Sequence, residues 1–221
     1  MIKRVLIAED HESANISVQK TLEELDIANI DYVYYCDDAL EKIKKTNRTD
    51  RSYDLLITDL YFEEDHRMQK VSGGMALIHV VKQEQPDLKI IVFSAESKAA
   101  VIEMLIEQYG IDGYVRKARN DAKELKQAIT QVSQNQQYFP MHVMQMLKQK
   151  NAYEFTEFDI TIISLLASGV RQKDIPSYLQ QHKIKPSGLS SVEKRLNQMK
   201  EILEFSQNEQ LIAFCKDMGI I

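Results

Sequence analysis

The sequence predicts two domains, an N-terminal α/β domain built on a doubly wound parallel sheet and a C-terminal all-α domain. The chain has 221 residues, which exceeds the usual size of one domain and allows each of two domains its own core. Short apolar runs alternate with amphipathic segments through the first 117 residues, a pattern typical of repeated β-α units. Strand-like runs then stop, and the rest of the sequence favours helices alone.

The N-terminal alternation predicts five strands, at residues 5–8, 33–36, 55–58, 89–93 and 113–115. Amphipathic helices are expected between and after them, at residues 13–25, 38–45, 75–83, 98–109 and 121–133. Five β-α units in succession favour a flavodoxin-like, five-stranded parallel sheet with helices on both faces. Such sheets bind ligands at the carboxyl ends of their strands, so polar residues there are the first functional candidates.

The sequence changes character after residue 133. A polar stretch rich in Gln and Met predicts a linker over residues 134–152, with a short helix at 141–148. Four helices are expected downstream, at residues 156–168, 174–181, 190–203 and 208–218. Thr156 is suited to cap the first of these, with Asp159 at its third position, and Pro176 falls in the first turn of the second. The predicted domains are therefore residues 1–133 and 153–221.

Composition excludes several classes of protein. No apolar run approaches the roughly 20 residues that a membrane span needs, and the N-terminus lacks the features of a signal peptide, so a cytoplasmic location without membrane contact is expected. Only Cys36 and Cys215 occur, without metal-ligand spacing, and buried thiols are the simplest interpretation.

Acidic residues follow two of the predicted strands. Glu9 and Asp10 come directly after the first strand, and Asp59 follows the third. In a parallel sheet these strand ends lie side by side, so three carboxylates would meet at one rim. Such a cluster repels itself, and a hard divalent cation such as Mg²⁺ is the usual way to hold it.

A hydroxyl and a cation are expected over the same rim. Ser94 follows the fourth predicted strand, and Lys117 lies just beyond the fifth. Taken singly, an aspartate after a strand is an ordinary helix cap, and a lysine is an ordinary surface residue. The ordered set of carboxylates, hydroxyl and lysine instead describes a phosphoryl-binding site.

The first 133 residues resemble the receiver domains of response regulators. The resemblance rests on the motifs IAEDH, LLITDL, VFSAE and GYVRK, each in the expected order and strand context. It implies that Asp59 is the phosphoacceptor, that Mg²⁺ is the cofactor, and that a sensor histidine kinase or a small acyl phosphate is the donor. The implied site comprises the metal ligands Glu9 (through water), Asp10, Asp59 and the backbone carbonyl of Tyr61, the switch residues Ser94 and Tyr114, and Lys117, which pairs with the phosphoryl group.

Two features depart from that family. Receivers commonly have Met-Pro shortly after the phosphoacceptor and a proline after the lysine, whereas Tyr61, Phe62 and Ala118 stand here. The loop before the third helix, residues 61–74, is also longer than usual and carries His66, which is not expected to bind metal. A solvated loop is the simplest interpretation, and gating of phosphorylation or contact with a kinase are open alternatives.

Residues 153–221 resemble the NarL/LuxR-type helix-turn-helix output domain. The best match is FTEFDITIISLLASGVRQKDI, followed by the weaker SSVEKRLNQMKEIL. The resemblance implies that residues 190–203 form the recognition helix. The helix at residues 208–218 would be the one through which such domains often pair as homodimers. A core stripe through Val192, Leu196 and Met199 leaves five helix residues to reach double-stranded DNA: Ser190, Ser191, Lys194, Arg195 and Lys200. Lys183 and Lys185, in the connection before this helix, are expected to contact phosphates.

Together these features predict a phosphorylation-dependent, DNA-binding response regulator that is not an enzyme in the ordinary sense. The net charge of −5 argues globally against a protein that coats nucleic acid, but seven basic residues face only two acidic ones between Arg171 and Lys200. A phosphorylation-controlled adaptor, whose four helices bind another protein, is the main alternative. An independent magnesium-dependent phosphatase is weaker, because the residues describe an acceptor without a separate substrate pocket.

Overall fold

A computed structural model describes residues 2–47 and 52–221 of the chain. Two compact units are present: the first comprises Met1–Ser97 and Val101–Pro140, and the second comprises Lys98–Ala100 and Met141–Ile221. The helix expected within a linker therefore groups with the second unit, and the domain boundaries at residues 133 and 153 stay a prediction.

The first unit contains a five-stranded parallel sheet. Its strands are β1 (Arg4–Ala8), β2 (Asn29–Val33), β3 (Leu55–Thr58), β4 (Lys89–Ser94) and β5 (Gly113–Arg116), arranged in the order β2-β1-β3-β4-β5. The strand order reverses between β1 and β3, which places a topological switch point at the carboxyl ends of these two strands. Every residue of β3 is buried, as are all but the first residues of β1 and β4, because helices cover both faces of a parallel sheet.

Five helices accompany the sheet, namely α1 (Glu12–Glu23), α2 (Cys36–Asn47), α3 (Gly74–Glu84), α4 (Ala99–Glu107) and α5 (Asp121–Ser133). Each overlaps a predicted helix, and α5 has the predicted bounds. Apolar side chains of α1 and α5 share one core cluster with those of β1, β3 and β4, including Val18, Leu125 and Ile57. That core fixes the strand ends on which the candidate site stands.

The second strand was predicted in the wrong place. The predicted run began at Val33, where β2 in fact ends, and Cys36 already begins α2. Because β2 lies at the edge of the sheet, only Val33 is buried within it, and the strand carries no apolar run. Asp31 on this strand is instead satisfied by Arg4 at 2.9 Å and by the Tyr53 hydroxyl at 2.8 Å.

The second unit is helical throughout, with α6 (Met141–Asn151), α7 (Glu157–Ala167), α8 (Ile175–Gln181), α9 (Leu189–Ile202) and α10 (Asn208–Asp217). A 3₁₀ turn, Gln172–Asp174, precedes α8. The expected capping box of Thr156 and Asp159 begins α7, and Pro176 lies in the first turn of α8, as predicted. Helices α7 to α10 pack on one another, and their buried apolar side chains, with Leu203 after α9, include Ile162, Ile163, Leu179, Val192, Leu196, Met199, Leu211 and Phe214.

Both Cys36 and Cys215 are buried free thiols, as predicted. Burial raises the pKa of each thiol to about 12, so neither is a reactive thiolate at neutral pH. No helix in the described ranges combines the length and apolarity needed to cross a membrane.

Candidate functional site

Three predicted carboxylates meet at the switch point of the sheet. Ala8 of β1 pairs in register with Thr58 of β3, so the residues that follow the two strands start side by side. Ligand atoms of Glu9, Asp10 and Asp59, together with one of His11, all lie within 4.8 Å of one another. Glu9 and Asp59 are buried, and Asp10 is half-buried. Burial raises the pKa of Glu9 above its ordinary value, although Lys117 opposes the shift.

Lys117 bridges two of these carboxylates. Its Nζ lies 2.6 Å from Asp59 Oδ2 and 2.7 Å from Glu9 Oε2, while its backbone N–H donates to the carbonyl of Ser94 at 2.8 Å. Burial by itself would lower the pKa of Lys117, but the hydrogen bonds to the two carboxylates outweigh it and raise the pKa. The site therefore holds a charged ammonium group directly against Asp59.

The start of α3 packs closely against the end of β3. Asp59 Oδ1 accepts a hydrogen bond from the N–H of Leu60 at 2.6 Å, and the N–H of Gly74 donates to the carbonyl of Leu60 at 2.9 Å. A Cβ on Gly74 would lie 1.8 Å from the Asp59 carbonyl oxygen, so no larger residue fits there. Sequence reasoning did not single out Gly74. Its only signal was the Ser-Gly-Gly run before a predicted helix.

Ser94 ends β4, and Tyr114 lies in the neighbouring strand β5, in register with Val92. Ser94 is fully buried, and its Oγ has no hydrogen-bond partner among the described residues. Tyr114 is also buried, and its hydroxyl donates to the backbone carbonyl of Glu96 at 2.7 Å. Burial raises the pKa of Tyr114, so the phenol stays protonated. An unpartnered buried hydroxyl commonly marks a place where a ligand supplies the missing bond.

Two further residues border the pocket. Sequence reasoning missed His11, whose Nδ1 lies 3.0 Å from Asp10 Oδ1, although the IAEDH motif places it beside the acidic pair. The hydrogen bond to Asp10 raises the pKa of His11. Tyr61 is exposed and donates through its hydroxyl to Glu96 Oε2 at 2.5 Å, and the metal-binding role of its backbone carbonyl stays a prediction.

The predicted recognition helix corresponds to α9 in the second unit. Its expected core stripe is confirmed, since Val192, Leu196 and Met199 are all buried. The residues predicted to reach DNA differ in exposure. Ser191 and Lys200 are half-buried, and the following are exposed: Lys183, Lys185, Ser190 and Lys194. All of these stay candidates for contact with a duplex.

Arg195 has a different environment from the one expected. Its Nε donates to Asp159 Oδ1 at 2.6 Å, and its Nη2 donates to Asp159 Oδ2 at 2.9 Å. Asp159 is fully buried and also accepts hydrogen bonds from the Thr156 N–H and the Tyr153 hydroxyl. In this geometry the guanidinium joins α9 to α7. The contact of Arg195 with DNA stays a prediction.

Comparison with known proteins identifies the first unit. The response regulator receiver domain family matches residues 5–130. The chain belongs to this family. Its curated relatives include the transcriptional regulatory protein RcsB of Escherichia coli strain K12, which is 27% identical over 148 residues, covering 67% of this chain and 64% of RcsB. The matched region thus spans less than two thirds of the length of that relative.

Solved structures of the family resemble the chain in both units. RcsB from Salmonella enterica serovar Typhimurium, bound to promoter rprA in the presence of phosphomimetic BeF₃⁻, has a TM-score of 0.57 at 20% identity, covering 97% of this chain and 98% of that one. The isolated REC domain of the same protein, with BeF₃⁻, has a TM-score of 0.55 at 24% identity, covering 65% and 97%. The flavodoxin-like receiver and the helical C-terminal domain expected from the sequence are confirmed.

Proposed function

We propose that this response regulator binds DNA in a phosphorylation-dependent manner and accepts a phosphoryl group on Asp59 from a partner histidine kinase or a small acyl phosphate. One observation carries the proposal: Lys117 Nζ lies 2.6 Å from the buried Asp59 carboxylate within a cluster of acidic groups. A cation beside a nucleophilic carboxylate offsets the repulsion between that carboxylate and an anionic donor. We propose that the protein acts as a phosphoryl acceptor and is not an enzyme in the ordinary sense.

The chemistry is a single displacement. A carboxylate oxygen of Asp59 attacks the phosphorus and forms an O–P bond, while the bond from phosphorus to the donor's leaving atom breaks and its electron pair departs with the donor. The Lys117 ammonium is placed to pair with a phosphoryl oxygen. The Ser94 hydroxyl, which has no hydrogen-bond partner within the described ranges, can donate to another phosphoryl oxygen.

The acidic cluster suits Mg²⁺. Its donors are carboxylate oxygens, which hard divalent cations prefer, and Glu9, Asp10, Asp59 and the carbonyl of Tyr61 would hold the ion. When bound, Mg²⁺ supplies positive charge that offsets repulsion among the carboxylates and the incoming phosphoryl group. Asp10→Asn should weaken Mg²⁺ binding, measured by titration of intrinsic tyrosine fluorescence, and equal affinity in parent and variant would count against the site.

Phosphorylation is proposed to act through the junction of β4 and α4. Ser94 ends β4, and the Tyr114 hydroxyl binds the carbonyl of Glu96 two residues later. Movement of Ser94 toward a phosphoryl group would therefore disturb the Tyr114–Glu96 hydrogen bond. Hydrogen exchange in residues 98–113 and 121–133 should change when beryllofluoride is bound at saturation, and identical protection in both states would oppose this switch.

The second unit is proposed to bind a DNA duplex as a homodimer. The RcsB structure bound to promoter DNA shares the fold of this chain across both units. We propose that α9 enters the major groove and presents Lys194, while Lys183 and Lys185 contact phosphates. We assign the contact between the two subunits of this homodimer to α10. We propose a cytoplasmic location, since that is where a DNA-binding regulator of this kind would meet its duplex.

A second candidate function is a phosphorylation-controlled adaptor that binds another protein. Two observations favour it: Glu193 and Glu201 are exposed on α9, and the guanidinium of Arg195 is bound to Asp159. Selection of bound sequences from random duplex DNA, with and without acetyl phosphate, separates the two functions. A DNA-binding regulator enriches a defined motif whose affinity falls as salt rises, whereas an adaptor enriches none.

A further inference from the structure

The long loop between β3 and α3, residues 61–73, is bound to the start of α2. The Arg67 guanidinium lies over the Tyr35 ring at 4.2 Å and forms two hydrogen bonds with the Asp38 carboxylate, one of them Nη1–Oδ2 at 2.9 Å. The Tyr35 hydroxyl in turn donates to Asp65 Oδ2 at 2.6 Å. A bidentate pair that also stacks on an aromatic ring fixes the direction of the side chain, which an isolated surface ion pair does not.

Three more contacts extend this attachment toward α3. The Cys36 N–H donates to Gln69 Oε1 at 3.1 Å. The Asp37 carboxylate accepts hydrogen bonds from the backbone N–H groups of Lys70, at 2.8 Å, and Val71, at 2.9 Å. The loop therefore follows residues 35–38 over most of its length, which differs from the merely solvated loop that its composition suggested.

At its other end the loop reaches the phosphoacceptor pocket. The Glu63 N–H donates to Asp10 Oδ2 at 2.6 Å, and the Glu63 carboxylate lies 3.6 Å from His11 Nε2. Asp59 beneath is only 5% exposed. The loop lines an open cleft of about 530 Å³ next to the pocket, between its own residues and the start of α3.

The acidic residues of the loop affect which donors can approach the phosphoacceptor pocket. Glu63, Glu64 and Asp65 are consecutive acidic residues, all exposed, next to a site that must receive an anionic group. Held in place, they repel a small anionic donor. The hydrogen bond from the Glu63 N–H holds this end of the loop against Asp10, beside the buried Asp59.

We propose that Arg67 is a positioning residue that holds the long loop as a lid beside Asp59, slowing phosphorylation by small anionic donors and hydrolysis of the aspartyl phosphate. The proposal rests on the proposed function, since it concerns access to the same phosphoacceptor. Arg67 touches neither phosphate nor metal. It acts through the loop, whose Glu63 N–H it keeps within reach of Asp10.

The test compares the full chain with its Arg67→Ala variant, using acetyl phosphate as donor. The rate of Asp59 labelling and the rate at which the label is lost after donor removal should both rise, by about three- to tenfold, because the lid is open more of the time. Arg67→Lys, which keeps the charge but loses the bidentate pair, should lie between parent and alanine variant. Lys45→Ala is the matched control, since it breaks the exposed Lys45–Glu41 pair on α2 without touching the loop, and should leave both rates unchanged.

Urea unfolding and hydrogen exchange of the loop amides complete the experiment. Arg67 is 44% exposed at its side chain, so the variant should fold, and Asp38→Asn removes the same contact from the other side. Faster labelling and faster loss in both variants, with an unchanged unfolding midpoint, support the lid. If the parent is labelled and both variants keep its rates, the lid is overturned while the phosphoacceptor stands. If no chain is labelled at all, the proposed function fails, and the lid fails with it.

Discussion

The Arg195 guanidinium binds the fully buried Asp159 carboxylate through two hydrogen bonds, Nε–Oδ1 at 2.6 Å and Nη2–Oδ2 at 2.9 Å. Asp159 also completes the capping box at the start of α7, so one carboxylate both caps that helix and holds α9. The orientation of α9, the proposed recognition helix, therefore depends on Asp159, a buried residue of α7.

Asp159→Ala should destabilise the second unit strongly. The substitution leaves the Arg195 guanidinium without its carboxylate partner in a partly buried position and removes the Asp159 half of the capping box of α7. Such losses cost about 3 kcal/mol or more. Urea unfolding of the full chain, followed by circular dichroism, measures the change. Asp174→Asn is the matched control because the Arg171–Asp174 pair is exposed, and it should cost less than about 1 kcal/mol. Equal effects of the two substitutions would contradict the role given to Asp159.

The same pair predicts a pH dependence. Burial of Asp159 by itself would raise its pKa, but hydrogen bonds from Arg195 and Thr156 outweigh it and hold the pKa below the ordinary value of 3.8. The carboxylate thus contributes stability that is fully present above pH 3.8 and is lost as the pH falls through the lower folded pKa. The stability difference between parent and Asp159→Asn should be constant near neutral pH and shrink in acid. A difference that grows below pH 3.8 would oppose this sign.

Lys194→Ala and Arg195→Ala should weaken DNA binding for different reasons. The exposed Lys194 is proposed to contact the duplex, so its loss should cost roughly 1 to 3 kcal/mol of binding or discrimination with no change in the unfolding midpoint. Arg195→Ala should lower the midpoint as well, because it breaks the bond to Asp159. Fluorescence anisotropy on a selected site, combined with urea unfolding, distinguishes the two. A Lys194 variant that binds as tightly as the parent would exclude α9 as the reader.

Ser94→Ala should remove the conformational response to phosphorylation without lowering the stability of the fold. The Ser94 Oγ is buried without a partner among the described residues, so its removal should leave the free energy of unfolding unchanged or slightly higher. The variant should still accept phosphate on Asp59, while the change in hydrogen exchange at residues 98–113 is lost. A large loss of stability would indicate that the hydroxyl already has a role in the unphosphorylated fold.

The receiver was largely predictable from the sequence because its signals are local and ordered. Apolar runs marked four of the five strands, and the register of β1 with β3 brings Glu9 and Asp59 together as expected from strand order. The edge strand β2 was misplaced because an edge strand needs no apolar run. Gly74 gave only a weak signal, since its need for a small side chain arises from the carbonyl of Asp59, which is distant in sequence.

The partners of charged side chains were harder to predict. Arg195 lies three residues after the core residue Val192, toward the flank of α9, and periodicity alone could not show that it reaches Asp159, 36 residues earlier. The long loop gave a similar difficulty, because Arg67 and Asp38 are 29 residues apart and both belong to segments that look solvated. Periodicity identifies the buried stripe of a helix, whereas the pairing of surface charges depends on tertiary structure.

Phosphorylation of Asp59 is proposed to control DNA binding. The most direct test is fluorescence anisotropy on a selected duplex, which compares the affinities of the parent and the Asp59→Asn variant with and without acetyl phosphate. The substitution removes the nucleophilic oxygen and keeps the shape of the side chain, so the fold should be retained. The account predicts that acetyl phosphate tightens binding by the parent and leaves the variant unchanged. Affinity that does not respond to acetyl phosphate in the parent, or that responds equally in Asp59→Asn, would contradict it.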